Sequence, residues 1–227
     1  MIIKNILFLL FVSTLFSQVP DERGYIVEVG DIVPEFIMKF PDGSQITSSE
    51  LKGKVTMLQF TASWCSVCRE EMPHIEKEIW KLYKKVGLRV IGIDRDESAE
   101  VIKKFTKEVK VTYPIALDPG ADIFALFADR NSGVTRNIII DSDGRIAFLT
   151  RLFDPDEYNK MKNIIHDLLV NQLLEEKQTL VAQKQILKEL KNKRTSVSIN
   201  DIEKSLILIE SKLNLKERRL SHAQRRL

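Results

Sequence analysis

The sequence predicts an α/β fold whose central sheet contains both parallel and antiparallel strands and is flanked by helices. Apolar strands alternate with amphipathic helices over residues 55–109, and two further strands flank a turn at residues 142–144. A strand–helix–strand order favours parallel pairing, whereas a short turn between strands favours a hairpin. The absence of Gly and Pro after Pro155 predicts a C-terminal helical extension.

The order of the elements follows from the hydrophobic pattern. Pro41, Asp42 and Gly43 form a turn signal between two short segments and predict an N-terminal β-hairpin. Pro73 is expected to kink the helix that contains it, because proline removes a backbone hydrogen bond. The pattern predicts strands at residues 24–30, 35–40, 55–62, 88–94 and 114–117 and on both sides of 142–144, and helices at 66–85, 98–109 and 121–128.

The composition is that of a globular protein. Hydrophobic residues make up 44% of the 227 residues, and charged residues make up 30%. The formal net charge of +3 is too small to indicate a nucleic-acid partner, so we expect none.

The N-terminus has the pattern of a secretory signal peptide. Lys4 gives a positive start, an apolar run covers residues 6–16, and a cleavage point is expected before Gln18. The run is shorter than the about 20 apolar residues that span a bilayer comfortably. We therefore expect residues 1–17 to be removed and the mature protein to be exported, soluble and periplasmic. An uncleaved membrane anchor and a buried helix are the alternatives.

The chain has two cysteines, Cys65 and Cys68, at C-x-x-C spacing. An oxidising compartment permits a disulfide between them, but so small a loop constrains little of the unfolded chain. The pair is therefore expected to be chemical rather than structural. A zinc site needs more ligands, and His74 is the only candidate nearby, so no metal is expected.

The predicted strand and helix around the cysteines suggest how they react. Cys65 falls at the helix N-terminus, where free amides and the helix dipole favour a thiolate. Cys68 lies one turn further on and can resolve the mixed disulfide that Cys65 forms with a substrate. This chemistry requires no cofactor beyond the redox-active pair itself.

The stretch from Trp64 to Cys68, directly after an apolar strand, resembles the active site of thioredoxin-fold proteins. It is most similar to the TlpA/ResA group of exported thiol-disulfide oxidoreductases. An L-K-G-K stretch precedes the strand, and Glu71 begins an E-x-P pattern after the second cysteine. The resemblance implies a thioredoxin-like domain at residues 26–170, with a helical, possible coiled-coil extension at 171–227.

The resemblance also implies roles for the matched positions. Cys65 is the attacking thiol and Cys68 the resolving thiol. Glu71 matches an acidic residue that can exchange protons with a thiol when it is partly buried; a solvated helix side chain is the alternative. Ordinary thioredoxins have a buried acid six residues before the first cysteine, where this chain has Gln59. Trp64 is expected to shape the substrate groove.

Residues 133–137 depart from the family pattern. The family normally has a cis-proline that faces the cysteines, and Thr135 stands at that position. A cis bond before a non-proline residue costs about 2.5–4 kcal/mol, so the local geometry is in question. The Thr135 hydroxyl can hydrogen-bond a cysteine sulfur, and Val134, Thr135 and Arg136 are expected to border the groove. Peroxiredoxins place an arginine near this strand, but a surface position at a strand end is the favoured interpretation of Arg136.

The sequence of the extension predicts two helices, at about residues 156–193 and 201–227, separated by the stretch 194–201. Its second helix has an a/d-like seam. A helical hairpin that packs on itself and an arm for dimerisation or docking are both open. From Lys160 onward there are fifteen Lys and Arg against eight Asp and Glu, which indicates a solvated face or an acidic or lipid partner. The seam comprises Leu206, Ile209, Leu213, Leu220 and Leu227, with Lys216 and Ala223 in the remaining positions.

The sequence thus predicts an exported thiol-disulfide oxidoreductase that reduces or isomerises disulfides of protein partners. A reductant outside the cytoplasm needs electrons from a membrane donor, which this chain does not encode. One alternative is a thiol peroxidase that uses Cys65 and Cys68, assisted by Thr135 and Arg136. Another is a scaffold that acts through its C-terminal helices.

Overall fold

The computed structural model describes residues 19–192 and 198–225. The predicted signal peptide at residues 1–17 lies outside this part of the chain, as does Leu227 of the predicted seam. Seven strands form one sheet, and the predicted α/β class with an N-terminal hairpin is confirmed. The strands are β1 (Ile37–Lys39), β2 (Gln45–Thr47), β3 (Thr56–Thr61), β4 (Arg89–Arg95), β5 (Ile115–Asp118), β6 (Arg136–Ile140) and β7 (Ile146–Arg151).

The sheet has the strand order β2-β1-β5-β4-β3-β6-β7. The three central strands β5, β4 and β3 are parallel to one another. The outer pairs β1–β2, β1–β5, β3–β6 and β6–β7 are antiparallel. All residues of β3 are buried, so this strand forms the centre of the fold and ends directly before the cysteines.

The described residues include five α-helices and several short helical turns. The helices are α1 (Ser66–His74), α2 (Lys81–Tyr83), α3 (Ala99–Val109), α4 (Pro155–Asn192) and α5 (Ile199–Gln224). Residues 48–51, 119–121 and 124–126 form 3-10 turns, so the α-helix predicted at 121–128 is reduced to such turns.

The helix predicted at residues 66–85 is divided rather than simply kinked. Pro73 lies in α1, and residues 75–80 then continue as a π-helical turn that leads into α2. Proline has no N–H to bond the carbonyl one turn earlier, and its ring crowds that carbonyl. Just after it, the Ile75 N–H is shared between the carbonyls of Glu71 and Met72. The wider π register accommodates this disruption.

The strand predicted at residues 24–30 is wrong. Tyr25 makes only an isolated bridge to Ala128. The Ile26 N–H bonds Phe127, whereas the Gly30 N–H bonds Ile146, so the segment divides its hydrogen bonds between two parts of the fold. Alternating apolar residues suggested a strand here, but this segment packs across one face of the sheet without joining it.

Both faces of the sheet are covered. The N-terminal segment and the 3-10 turns cover one face with apolar side chains such as Tyr25, Phe36, Phe124 and Phe127. Helices α1, α3 and α4 cover the other face. The strands therefore have the continuous apolar character of a doubly covered sheet, in which any polar side chain needs a partner.

Helix α4 belongs to this core as well as to the extension. Its first half buries Tyr158, Met161, Ile165, Leu169 and Leu173 against the sheet. The boundary predicted at residue 170 therefore falls within one continuous helix. Among the described residues, none of the helices combines the length and the apolar character needed to cross a membrane.

The second half of α4 packs against α5 as an antiparallel hairpin. Ion pairs join Lys177 to Glu217 and Lys191 to Glu203, which run in opposite order along the two helices. The buried residues of α5 follow the spacing predicted for the seam. The two helices pack on each other as a hairpin, which is one of the two arrangements that the sequence left open. The buried seam residues are Ile202, Ile209, Leu213 and Ala223.

We expect Leu169→Ala to lower the free energy of unfolding by about 2–5 kcal/mol, because a buried leucine leaves a cavity when truncated. Leu208→Ala is the matched control, since Leu208 is 56% exposed on α5. Its effect should stay within about 0.5 kcal/mol. Chemical denaturation of both variants measures the difference, and equal stabilities would contradict the placement of α4 in the core.

Candidate functional site

The two cysteines lie where β3 leads into α1. Cys65 is the N-cap residue of α1, with an extended backbone, and its sulfur accepts a hydrogen bond from the Cys68 N–H at 3.1 Å. The two sulfurs are joined in a disulfide. Cys65 is 8% exposed and Cys68 is fully buried, so Cys65 is the more accessible of the two.

Thr135 contacts both sulfurs from the loop before β6. Its Oγ1 lies 3.2 Å from Cys65 Sγ and 3.3 Å from Cys68 Sγ. The described residues contain no cis peptide bond, so this replacement for the family's proline has a trans bond. The end of β7 holds the Thr135 carbonyl through the Leu152 N–H and Arg151 Nη1. The hydroxyl contact expected from the sequence is therefore present with both cysteines.

Glu71 lies on α1 three residues after Cys68 and is buried. Gln59 Nε2 donates to one of its carboxylate oxygens at 3.2 Å, and Asn137 Nδ2 donates to the other at 2.6 Å. Burial raises the pKa of Glu71 to about 7, against the opposing effect of these two hydrogen bonds. A group with such a pKa can both take and release a proton near neutral pH.

The hydrogen bonds around Glu71 continue into the core. Tyr113 donates its hydroxyl to Gln59 Oε1 at 2.7 Å, and Asn137 also donates to Thr150 Oγ1 at 2.9 Å. Sequence reasoning did not identify Asn137, Tyr113 or Thr150. The signal available for Asn137 was its place in the sequence, where a single amide precedes three isoleucines in a predicted strand.

The remaining predicted groove residues differ in exposure. Trp64 is 64% exposed directly before Cys65, so it is not a core aromatic. Val134 is buried beside Thr135. Their proposed contacts with a substrate stay predictions.

The surface position favoured for Arg136 is wrong, and so is its assignment to the substrate groove. Arg136 is fully buried, and its guanidinium lies 4.6 Å from the ring centroid of Tyr25. It donates to the Arg23 carbonyl at 2.8 Å and to Ser132 Oγ at 2.6 Å. The side chain thus joins the N-terminal segment to the loop before β6 through its two terminal nitrogens, whereas its Nε has no hydrogen-bond partner among the described residues.

Within residues 19–192 and 198–225, no group of three or more His, Cys, Asp and Glu side chains is arranged to hold a metal ion.

Comparison with known proteins adds a family assignment to this geometry. Residues 29–149, more than half of the chain, match the AhpC/TSA family. The chain belongs to this family.

Curated relatives are thiol-disulfide oxidoreductases by name. The chain is 31% identical over 121 residues to the thiol-disulfide oxidoreductase ResA of a Bacillus cereus strain, a match that covers 53% of this chain and 68% of the relative. This confirms the resemblance to the TlpA/ResA group. Together with the Cys65–Cys68 pair, it identifies the chain as an oxidoreductase.

Solved structures agree with this assignment. A Bacteroides thetaiotaomicron protein, described as a proposed protein disulfide isomerase, is 52% identical with a TM-score of 0.62, over 64% of this chain and 92% of that one. A Chlorobium tepidum protein, described as a proposed thiol:disulfide interchange protein DsbE, is 26% identical with a TM-score of 0.57, over 63% of this chain and 99% of that one. The predicted thioredoxin fold is thereby confirmed.

Glu71→Gln should remove a pH dependence of stability. The pKa of Glu71 is raised from 4.5 to about 7 in the folded chain. Between these values the folded state holds a proton that the unfolded state releases, so stability falls as pH rises. The loss by pH 8 should be about 3 kcal/mol in the oxidised protein.

Denaturation of the oxidised protein at pH 5 and pH 8 measures this loss. The Gln variant should lack the share that Glu71 contributes and keep only the smaller decline of other groups with a raised pKa, such as Asp94. Glu70→Gln is the matched control, because Glu70 is the exposed neighbour on the same helix. Equal pH dependence in the wild type and in Glu71→Gln would contradict the assignment of the raised pKa to Glu71.

Proposed function

We propose that the protein is an exported thiol-disulfide oxidoreductase that reduces or isomerises disulfides in other proteins. The observation that carries this proposal is the Cys65–Cys68 disulfide at the N-terminus of α1, with Cys65, 8% exposed, directly after the exposed Trp64. A buried carboxyl, Glu71, follows on the same helix. Such a pair supports reversible dithiol chemistry rather than structural cross-linking, because its loop is so short.

Cys65 is proposed to react first. Cys65 is the more exposed of the two residues, and its sulfur already accepts the Cys68 N–H at the helix N-terminus. That hydrogen bond and the helix dipole stabilise a thiolate in the reduced protein. The Thr135 hydroxyl at 3.2 Å supplies a second donor to the same sulfur.

The reaction then proceeds through a mixed disulfide. The Cys65 thiolate attacks one sulfur of the substrate disulfide, and the other substrate sulfur leaves as a thiolate and takes a proton. Cys68 loses its thiol proton and attacks Cys65 Sγ, which releases the second substrate thiol. The substrate gains two electrons and two protons, and the protein is left with the Cys65–Cys68 disulfide.

Glu71 is proposed to receive the proton of Cys68. It lies three residues further along α1, a spacing that places side chains on the same helix face. Its pKa of about 7 lies near that of a thiol, so proton transfer in either direction costs little. Gln59 and Asn137 fix its orientation from the sheet.

The protein needs an electron donor for repeated turnover. The chain has only two cysteines, and one reduction of a substrate oxidises both. We propose that the donor is a membrane protein and that the protein acts in the periplasm, after residues 1–17 are removed or while they anchor it. Self-association through α4 and α5 is compatible with the hydrophobic side chains that these helices leave exposed, such as Ile207.

The peroxidase alternative has less support. A peroxidase would place a cation beside the reacting thiolate, and Arg136 was the candidate. In the structure its guanidinium is committed to the Arg23 carbonyl and to Ser132. The scaffold alternative also has less support, because the cysteine pair beside the exposed Trp64 favours a dithiol reaction.

Cys65→Ser should abolish the reduction of insulin disulfides by the protein in the presence of dithiothreitol. Cys68→Ser should stop the reaction at the first step, so that a mixed disulfide with insulin accumulates and is seen by mass spectrometry. Ser66→Ala is the matched control between the cysteines and should remain active. Activity of Cys65→Ser at the wild-type rate would overturn the proposal.

Thr135→Val should slow the alkylation of Cys65 by iodoacetamide at pH 6 in the reduced protein. A hydrogen bond to a charged group is worth about 1.5–3 kcal/mol, so its loss should reduce the rate about tenfold or more by reducing the thiolate fraction. Thr179→Val on α4 is the control. An unchanged rate would show that the Thr135 hydroxyl does not stabilise the thiolate.

A further inference from the structure

Asp94 is a buried acid that the proposed reaction does not use. It lies near the end of β4, in register with Thr61 of the parallel strand β3. Its side chain is fully buried, and neither carboxylate oxygen accepts a hydrogen bond from an N–H or O–H group of the described residues. An isolated buried carboxylate is strongly unfavourable, so a partner or a proton must be present.

The carboxyl of Glu97 supplies that partner. It lies within hydrogen-bonding reach of the Asp94 carboxyl, from the turn that follows β4. Two ionised carboxylates have only acceptors, so a hydrogen bond between them requires that one of them carries a proton. The unpartnered oxygens of Asp94 are thus explained by a single shared proton.

Glu97 also holds the turn that leads to Cys65. Its Oε2 accepts the Ser63 N–H at 2.5 Å, and its Oε1 accepts the Ser63 hydroxyl at 2.5 Å. Arg69 of α1 donates to the Ser63 carbonyl at 2.5 Å. Ser63 stands two residues before Cys65, so these contacts set the direction in which the chain enters α1.

The other charged groups around Asp94 favour retention of the proton. Asp118 at the end of β5 and Asp96 after β4 add negative charge. Arg95 pairs with Asp96 at 3.2 Å and directs its other guanidinium nitrogens to the carbonyls of Arg130 and Ser132, so Asp118 is the neighbouring acid without a cation among the described residues.

On the α1 side, Arg69 is paired with Glu108 of α3. None of the ion pairs within the described part of the chain includes Asp94 or Glu97. The proton, rather than a cation, therefore balances the two carboxyls.

We propose that Asp94 and Glu97 share one proton and that this pair is a positioning device, which fixes the turn before Cys65 through the two hydrogen bonds of Glu97 to Ser63. Its consequence for substrate reduction rests on the function proposed above. Burial and the neighbouring negative charge of Glu97 raise the pKa of Asp94 to about 8. Above this pH the two carboxylates repel each other, and the hold on Ser63 weakens.

The shared proton can be tested in the oxidised protein, where the cysteines do not titrate. Carbon-13 NMR should show the side-chain carboxyl carbon of Asp94 shifting in a step near pH 8, and the neighbouring Glu97 carboxyl carbon should report the same step. In Asp94→Asn the step at the Glu97 carbon should disappear, because the amide donates to Glu97 at every pH. A step for Asp94 at its ordinary value of about 4 in the wild type would overturn the proposal.

The positioning role has its own readout in the exchange of the Ser63 amide hydrogen. Asp94→Asn should protect this amide as the wild type does at pH 6, whereas Asp94→Ala should exchange it about tenfold faster, since a supporting hydrogen bond is lost. Insulin reduction should fall in Asp94→Ala and be retained in Asp94→Asn at pH 6. Equal exchange in the two variants would overturn the positioning role.

If Asp94→Ala does not fold, the comparison uses the wild type and Asp94→Asn alone. The ratio of their Ser63 exchange rates should rise between pH 6 and pH 9, and a constant ratio would overturn the proposal. An active protein that lacks the titration step would refute only the shared proton. An inactive protein that retains the step would refute only the proposed function.

Discussion

The pairing of Gln59 with Asn137 across β3 and β6 is the constraint on which the candidate site depends. The two residues are direct partners in the antiparallel register, and both amides reach the buried carboxyl of Glu71. A slip of one residue would turn the side chains of one strand to the opposite face of the sheet. The register therefore determines whether Glu71 has its hydrogen-bond donors.

The same two strands position the reacting groups. β3 ends just before the turn to Cys65, and the residue that precedes β6 is Thr135, whose hydroxyl lies against both sulfurs. The site thus has a buried side, with Glu71 and its amide donors, and a side nearer the surface, where Cys65 is 8% exposed and Trp64 is 64% exposed. Because the central strands are covered on both faces, the polar groups at their ends are isolated from water and their protonation depends on neighbouring side chains.

Much of this arrangement could be predicted from the sequence. Periodicity located the central strands, and C-x-x-C spacing after β3 located the redox pair at a helix start, because these are local patterns. Arg136 could not be placed, since its burial depends on Tyr25, which is distant in the chain and in a segment that only crosses the sheet. Asn137 was missed for a similar reason: only the pairing of β3 with β6 brings it to Glu71. The boundary predicted at residue 170 lies inside α4, which packs on the core and then forms the hairpin without a break, so the sequence offered no local signal at the change.

The central claim is that Cys65 and Cys68 form a reversible dithiol that reduces or isomerises protein disulfides. Equilibration of the protein with dithiothreitol or glutathione buffers, followed by quantitation of the oxidised fraction, gives the reduction potential of the pair. The account predicts reversible interconversion at a potential between that of thioredoxin, about −270 mV, and that of protein disulfide isomerase, about −180 mV. A potential near about −120 mV, typical of a dithiol oxidase, or failure of the pair to interconvert would contradict it.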